Sequence, residues 1–163
     1  MIEIRRIEPH EWLVAKQLVY RVIHAAFSIP RSLEQFVAES ESQNAFTDLD
    51  DIQMNYFDRH GVFLVTMAGS QIIGTGAIRQ LEEKVCELKR LFLLFEFQGQ
   101  GLGYRMVIEL LRTAREMSYE KMRLETAPVH LKRATALYRR LGFYEIPKYD
   151  TTHPNDIAME LIL

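Results

Sequence analysis

The stretch Leu91-Phe92-Leu93-Leu94-Phe95-Glu96-Phe97-Gln98-Gly99-Gln100-Gly101-Leu102-Gly103-Tyr104 decides the fold. It runs from an apolar strand end, through Gly99, Gly101 and Gly103, into a segment whose apolar residues recur at helical spacing. Glycines remove Cβ atoms and let a ligand approach the backbone, and the first N–H groups of a helix point outward where the helix dipole favours an anion. A phosphate fits such a turn, and so does a tight connection that holds nothing. Two phosphate motifs fail here. A P-loop needs Gly-Lys followed by Ser or Thr, but Gly103 is followed by Tyr104 and Arg105. A dinucleotide fingerprint counted from Gly99 needs a third glycine where Tyr104 stands, and Glu125, at the distance of a ribose contact, does not mend that.

Working outward, Val62 to Met67, Gln71 to Arg79 and Lys84 to Leu94 read as strands, joined at Ala68-Gly69-Ser70 and at Glu82-Glu83. Short connections make them an antiparallel meander. After the glycines, Leu102, Met106, Leu110, Ala114 and Met117 form one apolar stripe, while Arg105, Glu109, Arg112 and Arg115 face water. Lys121 to Thr126 is a short strand, and Leu131 to Leu141 a helix with Leu131, Ala134, Leu137, Tyr138 and Leu141 inward and Gly142 just past its end. Phe143 to Ile146 and Ile157 to Leu163 close the sheet as a pair. Towards the N-terminus, Ile2 to Ile7 alternates as a half-buried strand and Pro9 ends it. A helix over Glu11 to Phe27 is expected to bury Leu13, Val14, Leu18, Val22, Ile23 and Ala26, and a second helix runs from Leu33 to about Ala45. Asp48, Asp50 and Asp51 read as an exposed helix start or turn before Tyr56 and Phe57. This order predicts one α+β domain over residues 1–163, a mixed, mostly antiparallel central sheet flanked by helices.

Composition agrees. With 163 residues, 48% of them hydrophobic and 26% charged, the chain has the balance of a single globular domain. Cys86 stands alone, so no disulfide forms within the chain and a reducing, cytoplasmic location is expected. A net charge of −2 argues against nucleic-acid binding as the main task. No apolar run approaches the roughly 18 residues of a membrane span, and Met1 to Arg6 lack the core of a signal peptide. His10, His24, His60, His130 and His153 are scattered, and Asp48-x-Asp50 lacks the glycine and glutamate of a calcium loop, so no metal is expected. There is no Gly-x-Ser-x-Gly elbow, and Cys86, beside Glu87 on a strand, points to the opposite face and into the core.

Two segments together resemble a known family. Gln98-x-x-Gly101-x-Gly103, between a long strand and a helix, matches the Gln/Arg-x-x-Gly-x-Gly/Ala signature of the GNAT superfamily of acyl-CoA-dependent N-acyltransferases. Ala134-x-x-Leu137-Tyr138-x-x-Leu141-Gly142-Phe143 is similar to that family's Ala-x-x-Leu-Tyr-x-x-Leu-Gly-Phe segment. The resemblance covers Gly61 to the C-terminus directly, with the earlier elements in the expected order. It implies a GNAT-like fold using acetyl-CoA. Leu91, Phe92 and Leu93 would meet the pantetheine arm through their backbone, with the Leu93 N–H as oxyanion donor. Gln98, Gly99, Gln100, Gly101, Leu102, Gly103 and Tyr104 would receive the pyrophosphate. Tyr138 would protonate the coenzyme A thiolate, and Glu87 stands where members resembling histone acetyltransferases carry a glutamate base. Phe95, often proline in the family, and Leu131, often an asparagine that contacts the coenzyme, depart from the pattern. Each residue also has a plainer reading: Glu87 as a strand carboxylate paired with Lys89 or Arg90, Tyr138 as core. Lys132, Arg133, Arg139 and Arg140 read as a solvated helix face or as partners of the coenzyme's 3′-phosphate.

Acetyl transfer to an amine needs a neutral amine, a stabilised oxyanion and a proton for the departing thiolate. An alkylamine has a pKa near 10.4, so about one molecule in a thousand is neutral at pH 7 and a base helps. The expectation is therefore an N-acetyltransferase moving acetyl from acetyl-CoA directly to a primary amine of a small molecule or peptide, as a monomer or homodimer, with no nucleic-acid or membrane partner. The alternative is a non-catalytic coenzyme A-binding module of the same fold, which need not keep Tyr138. A nucleotide-binding α/β domain is opposed by Tyr104 and by the meander. The resemblance places the acceptor site on Val19 to Asp58 and the last strand pair, where Tyr20, His24, Glu34, Glu39 and Asp51 give a modest acidic bias.

Overall fold

A computed structural model of the chain describes every residue except Thr151. Its seven strands are β1 (Ile2–Arg6), β2 (Val62–Ala68), β3 (Gln71–Glu82), β4 (Val85–Leu93), β5 (Lys121–Thr126), β6 (Tyr144–Ile146) and β7 (Ile157–Ile162). They form one sheet in the order β1-β2-β3-β4-β5-β7-β6. Every pair is antiparallel except β4–β5. That exception follows from the connection: β5 is reached from β4 through a whole helix, the length a parallel crossover needs. The helices are α1 (Trp12–Ala26), α2 (Leu33–Ser42), α3 (Ile52–Asn55), α4 (Leu102–Glu116) and α5 (Lys132–Arg140). Among the described residues no helix is long and apolar enough to cross a membrane.

The two sheet faces carry separate cores. On one, Leu18, Val19 and Val22 of α1 pack with Phe63, Val65 and Ile73. On the other, Met106, Val107, Leu110 and Leu111 of α4 meet Cys86, Leu88, Met122 and Leu124, and Leu137 and Tyr138 of α5 join them. The α4 stripe read from spacing is the buried one, with Leu102, Met106, Leu110 and Ala114 inward. Cys86 is fully buried, as its parity opposite Glu87 requires, and burial pushes its thiol pKa up to about 12, so it stays an inert thiol.

Three expectations are corrected. In α1 the buried residues are Ala15, Lys16, Leu18, Val19, Tyr20 and Val22, while Leu13 and Val14 are exposed. Ala15, Leu18, Val19 and Val22 also obey helical spacing, and the small Ala15 lets the helix sit close to the sheet, which a count of bulky residues overlooks. Lys16 is tolerated inside because its Nζ meets Asp50 at 2.6 Å and Glu41 at 2.8 Å. The second helix stops at Ser42 rather than Ala45; Ser32 and Gln35 form a capping box at its start, and Asn44 turns left-handed after its end. Asp48 is not part of an exposed turn: its side chain is 14% exposed and paired with Arg90.

Candidate active site

The parallel pairing of β4 with β5 covers only Val85↔Lys121, Cys86↔Met122 and Glu87↔Arg123. Beyond that the strands part. At this end of β4 lies a cleft of about 1330 Å³ walled by Arg21, Val22 and His24 of α1, by Leu91 to Leu94 and by the first turns of α4 and α5. Of the residues singled out for the coenzyme, Leu91, Phe92, Leu93, Gln98, Gly99, Gly101, Leu102, Gly103 and Tyr104 line it. Gln100 is exposed and outside the wall. Lys132, Arg133 and Arg140 add positive charge on the α5 side.

Backbone geometry directs donors into this space. Leu94 N–H donates to the Ile73 carbonyl at 2.9 Å, so Leu94 and, by alternation, Phe92 spend their amides on β3. Leu93, opposite Gly74 in the alternate position, aims its N–H away from β3 and into the gap. Its carbonyl accepts the Gln98 side-chain amide at 2.9 Å, which braces the loop against the strand end. At the loop, Gly99 and Gly101 have φ of +80° and +78°, a region that only glycine enters freely, and a Cβ on Gly101 would meet nothing within 4 Å. Gly101 caps α4, leaving the N–H groups of Leu102, Gly103 and Tyr104 free at the helix start. Apolar strand end, outward amides, bare glycines and flanking cations suit an extended ligand that ends in phosphates.

Glu87 and Tyr138 lie on opposite faces of the sheet and outside the cleft wall. Tyr138 belongs to the α4–α5 core at 4% exposure, edge-on to Phe143 with ring centroids 5.6 Å apart. Its hydroxyl has no hydrogen-bond partner among the described residues, and burial pushes its pKa well above the usual tyrosine value. Glu87 faces the α1 side, level with Arg79 on β3 and Arg123 on β5, and its carboxylate sits 3.3 Å from Lys89 Nζ.

A second carboxylate escaped the sequence reading. Glu125, two residues beyond Arg123, shares its face and stands on the β5 rim of the gap. Burial, Asp150 and Glu87 raise its pKa to about 7, with Lys148 opposing. Tyr149, from the same β6–β7 connection, has a buried hydroxyl with no partner among the described residues and is raised by burial and by Glu87 and Glu125. The sequence marked Glu125 only by its distance from the glycines, because its surroundings come from a strand register and a return loop that spacing does not reveal.

The raised carboxyl has a measurable cost. Folded Glu125 keeps its proton up to about pH 7 while the unfolded chain releases it near pH 4.5, so the folded state holds more protons in that window and loses stability as pH rises through it. Glu125→Gln should melt above the wild type at about pH 8, with the difference shrinking towards about pH 4. An advantage that does not vary with pH would show that Glu125 is not perturbed.

A family described as the acetyltransferase (GNAT) family matches residues 23–143. An uncharacterised N-acetyltransferase of Escherichia coli, YjgM, is 32% identical over 102 residues, covering 61% of this chain and 60% of its own. An uncharacterised N-acetyltransferase of Schizosaccharomyces pombe is 30% identical over 132 residues, 79% of this chain and 80% of its own. For N-acetyltransferase 8F1 of Rattus norvegicus the match is 32% and spans 46% of that protein; most of the curated relatives are matched over about half their length or less. Among solved structures, a GNAT-family acetyltransferase of Staphylococcus aureus superposes with a TM-score of 0.82 at 19% identity over 100% of this chain and 99% of that one. The PaiA N-acetyltransferase of Thermoplasma acidophilum, solved in complex with coenzyme A, gives 0.77 at 20% identity over 100% and 99%. Matched over most of its length by that family, and sharing the fold of its solved members, the chain belongs to the GNAT acetyltransferases.

Proposed function

We propose that the protein is an N-acetyltransferase that passes the acetyl group of acetyl-CoA directly to a primary amine of a small molecule or peptide. One observation carries this reading: β4 and β5 part into an opening beyond Glu87↔Arg123, and Tyr138 belongs to one face of the sheet while Glu87 and Glu125 belong to the other. A thioester lying in that opening meets an amine from the carboxylate side and releases its thiolate towards the tyrosine side, so no covalent enzyme intermediate is required. The coenzyme A bound to the PaiA relative supports the choice of donor.

In this scheme the carboxylates of Glu87 and Glu125 take a proton from the substrate ammonium, directly or through water. The neutral nitrogen attacks the thioester carbonyl, and the Leu93 N–H donates to the oxyanion. As the C–S bond breaks, the attacking nitrogen, cationic after attack, releases its second proton to solvent, and Tyr138 gives its hydroxyl proton to the thiolate and recovers one from solvent. Free coenzyme A and the amide leave.

The first test is release of free thiol from acetyl-CoA in the presence of amines, polyamines, amino acids and peptides. If coenzyme A binds and no acceptor accelerates thiol release, the non-catalytic module replaces this reading. If coenzyme A does not bind in calorimetry, both fall. The loop offers a separate check. Gly101→Ala places a methyl group in space that no protein atom fills, at a φ that costs an L-residue about 1 kcal/mol. The fold should survive with a slightly lower melting temperature, while coenzyme A affinity drops about tenfold or more. Unchanged affinity would remove the glycine turn from the phosphate site.

A further inference from the structure

We infer that Asp48 is a positioning residue: by anchoring Arg90 it holds the bulge in β4 that decides which backbone amides face the coenzyme cleft. The inference rests on the coenzyme reading above and concerns residues the family signatures do not include.

The bulge is explicit in the register. Ala77 pairs with Lys89 and Thr75 with Phe92, so Gly76 alone on β3 opposes both Arg90 and Leu91 on β4. Arg90 takes a left-handed φ of 56°, an uncommon state for a residue with a long side chain. Something must hold it there, and two contacts do. Thr75 Oγ1 donates to the Arg90 carbonyl at 2.7 Å. Asp48 then receives the guanidinium in a fork, Nη2 to Oδ1 at 2.6 Å and Nε to Oδ2 at 2.9 Å. The anchor is itself fixed. The Tyr56 hydroxyl donates to Asp48 Oδ2 at 2.5 Å, Tyr56 is fully buried, and the guanidinium lies over the Phe46 ring at 5.1 Å. Burial alone would push the Asp48 carboxyl up, but Arg90 and Tyr56 pull it below its ordinary value, so it is a carboxylate in this pair.

The consequence lies one step along the strand. Because a bulge shifts register by one residue, it exchanges the amides that face β3 for those that face away. With the bulge, Leu93 aims its N–H into the gap and Leu94 pairs with Ile73. Without it the alternation moves by one, and Leu93 turns its N–H and side chain to the wrong sides. Asp48 sits 42 residues from Arg90 in sequence, on the turn Thr47–Leu49 between α2 and α3. The segment that covers the acceptor face therefore also sets the geometry of the donor strand.

The experiment is calorimetry with coenzyme A on the full chain, at a temperature where circular dichroism shows every variant folded. Asp48→Asn, which cannot accept both guanidinium bonds, should weaken binding about tenfold or more. Thr75→Val, which frees the Arg90 carbonyl at little change in shape, should weaken it about threefold to tenfold. Ile52→Val, a loss of one methyl group in the same core, should lower the melting temperature while leaving affinity within about twofold of wild type. That contrast separates positioning from stability. Asp48→Asn and Thr75→Val both binding within about twofold of wild type overturns the inference, as does a parallel loss in Ile52→Val; if Asp48→Asn does not fold, Thr75→Val decides. Absence of binding in the wild type overturns the coenzyme reading itself and is told apart by that control.

Discussion

Tyr138→Phe is expected to lower kcat by about 10² to 10⁴ while leaving coenzyme A affinity and the melting temperature near wild type. The ring is core, edge-on to Phe143, and phenylalanine keeps that contact. What it loses is a hydroxyl that makes no hydrogen bond to the described residues, so no protein group is orphaned by its removal. A buried tyrosine whose pKa lies above the usual range is a poor acid towards a thiolate in water. Inside the site the comparison changes. The departing thiolate is taken out of water too, so desolvation raises both partners and narrows the difference between them. The high pKa also ensures that the hydroxyl is protonated at every physiological pH and never contributes an anion beside the breaking bond. The measurement is steady-state thiol release with saturating acceptor, alongside calorimetry with coenzyme A. A variant with kcat within about threefold of wild type removes Tyr138 from the chemistry and leaves it as core.

The elements that position this site differ in how far they could be read in advance. The meander was legible because its apolar strands are bounded by Ala68-Gly69-Ser70 and Glu82-Glu83, and α4 because Leu102 to Ala114 repeats at helical spacing, a pattern that reports directly on which side of the helix is wet. Tyr138 is singled out only by its motif; its spacing alone says core, and it is core. Arg90 was not legible at all. Lys89 and Arg90 read only as residues of the strand Lys84 to Leu94, either one a partner for Glu87, and nothing local announces a bulge whose Arg90 is bound by Asp48 from another segment. Lys16 failed for the same reason, since a buried lysine is stable only where Asp50 and Glu41 arrive from elsewhere in the chain. Glu125 completes the pattern: its strand was predicted, but its environment depends on β5 ending beside the gap and on the β6–β7 connection bringing Tyr149 and Asp150 over it. Periodicity fixes faces, whereas the charges inside this site depend on long-range pairings.

Glu125→Gln is expected to remove most of the acid limb of the pH–rate profile and to lower kcat/KM by about 10² or more at pH 7, with a smaller loss for Glu87→Gln. The two carboxylates share a face but not an environment. Glu87 is held 3.3 Å from Lys89, so its carboxylate is already engaged in an ion pair. Glu125 has no ion-pair or hydrogen-bond partner for its carboxylate among the described residues, and burial, Asp150 and Glu87 raise it to about 7. A base works best when its pKa lies near the working pH, because it is then both available and strong. In wild type the rate should climb as pH rises through about 7, as Glu125 gives up its proton, before any further gain from the amine's own ionisation. In Glu125→Gln that inflection disappears and only the amine's slope is left. In Glu87→Gln a negative neighbour is lost, so the Glu125 pKa should fall and the acid limb should move to lower pH while keeping its shape. The direction of that displacement decides between the carboxylates. If Glu87 is the proton acceptor, its replacement abolishes the limb, and replacing Glu125 merely shifts it.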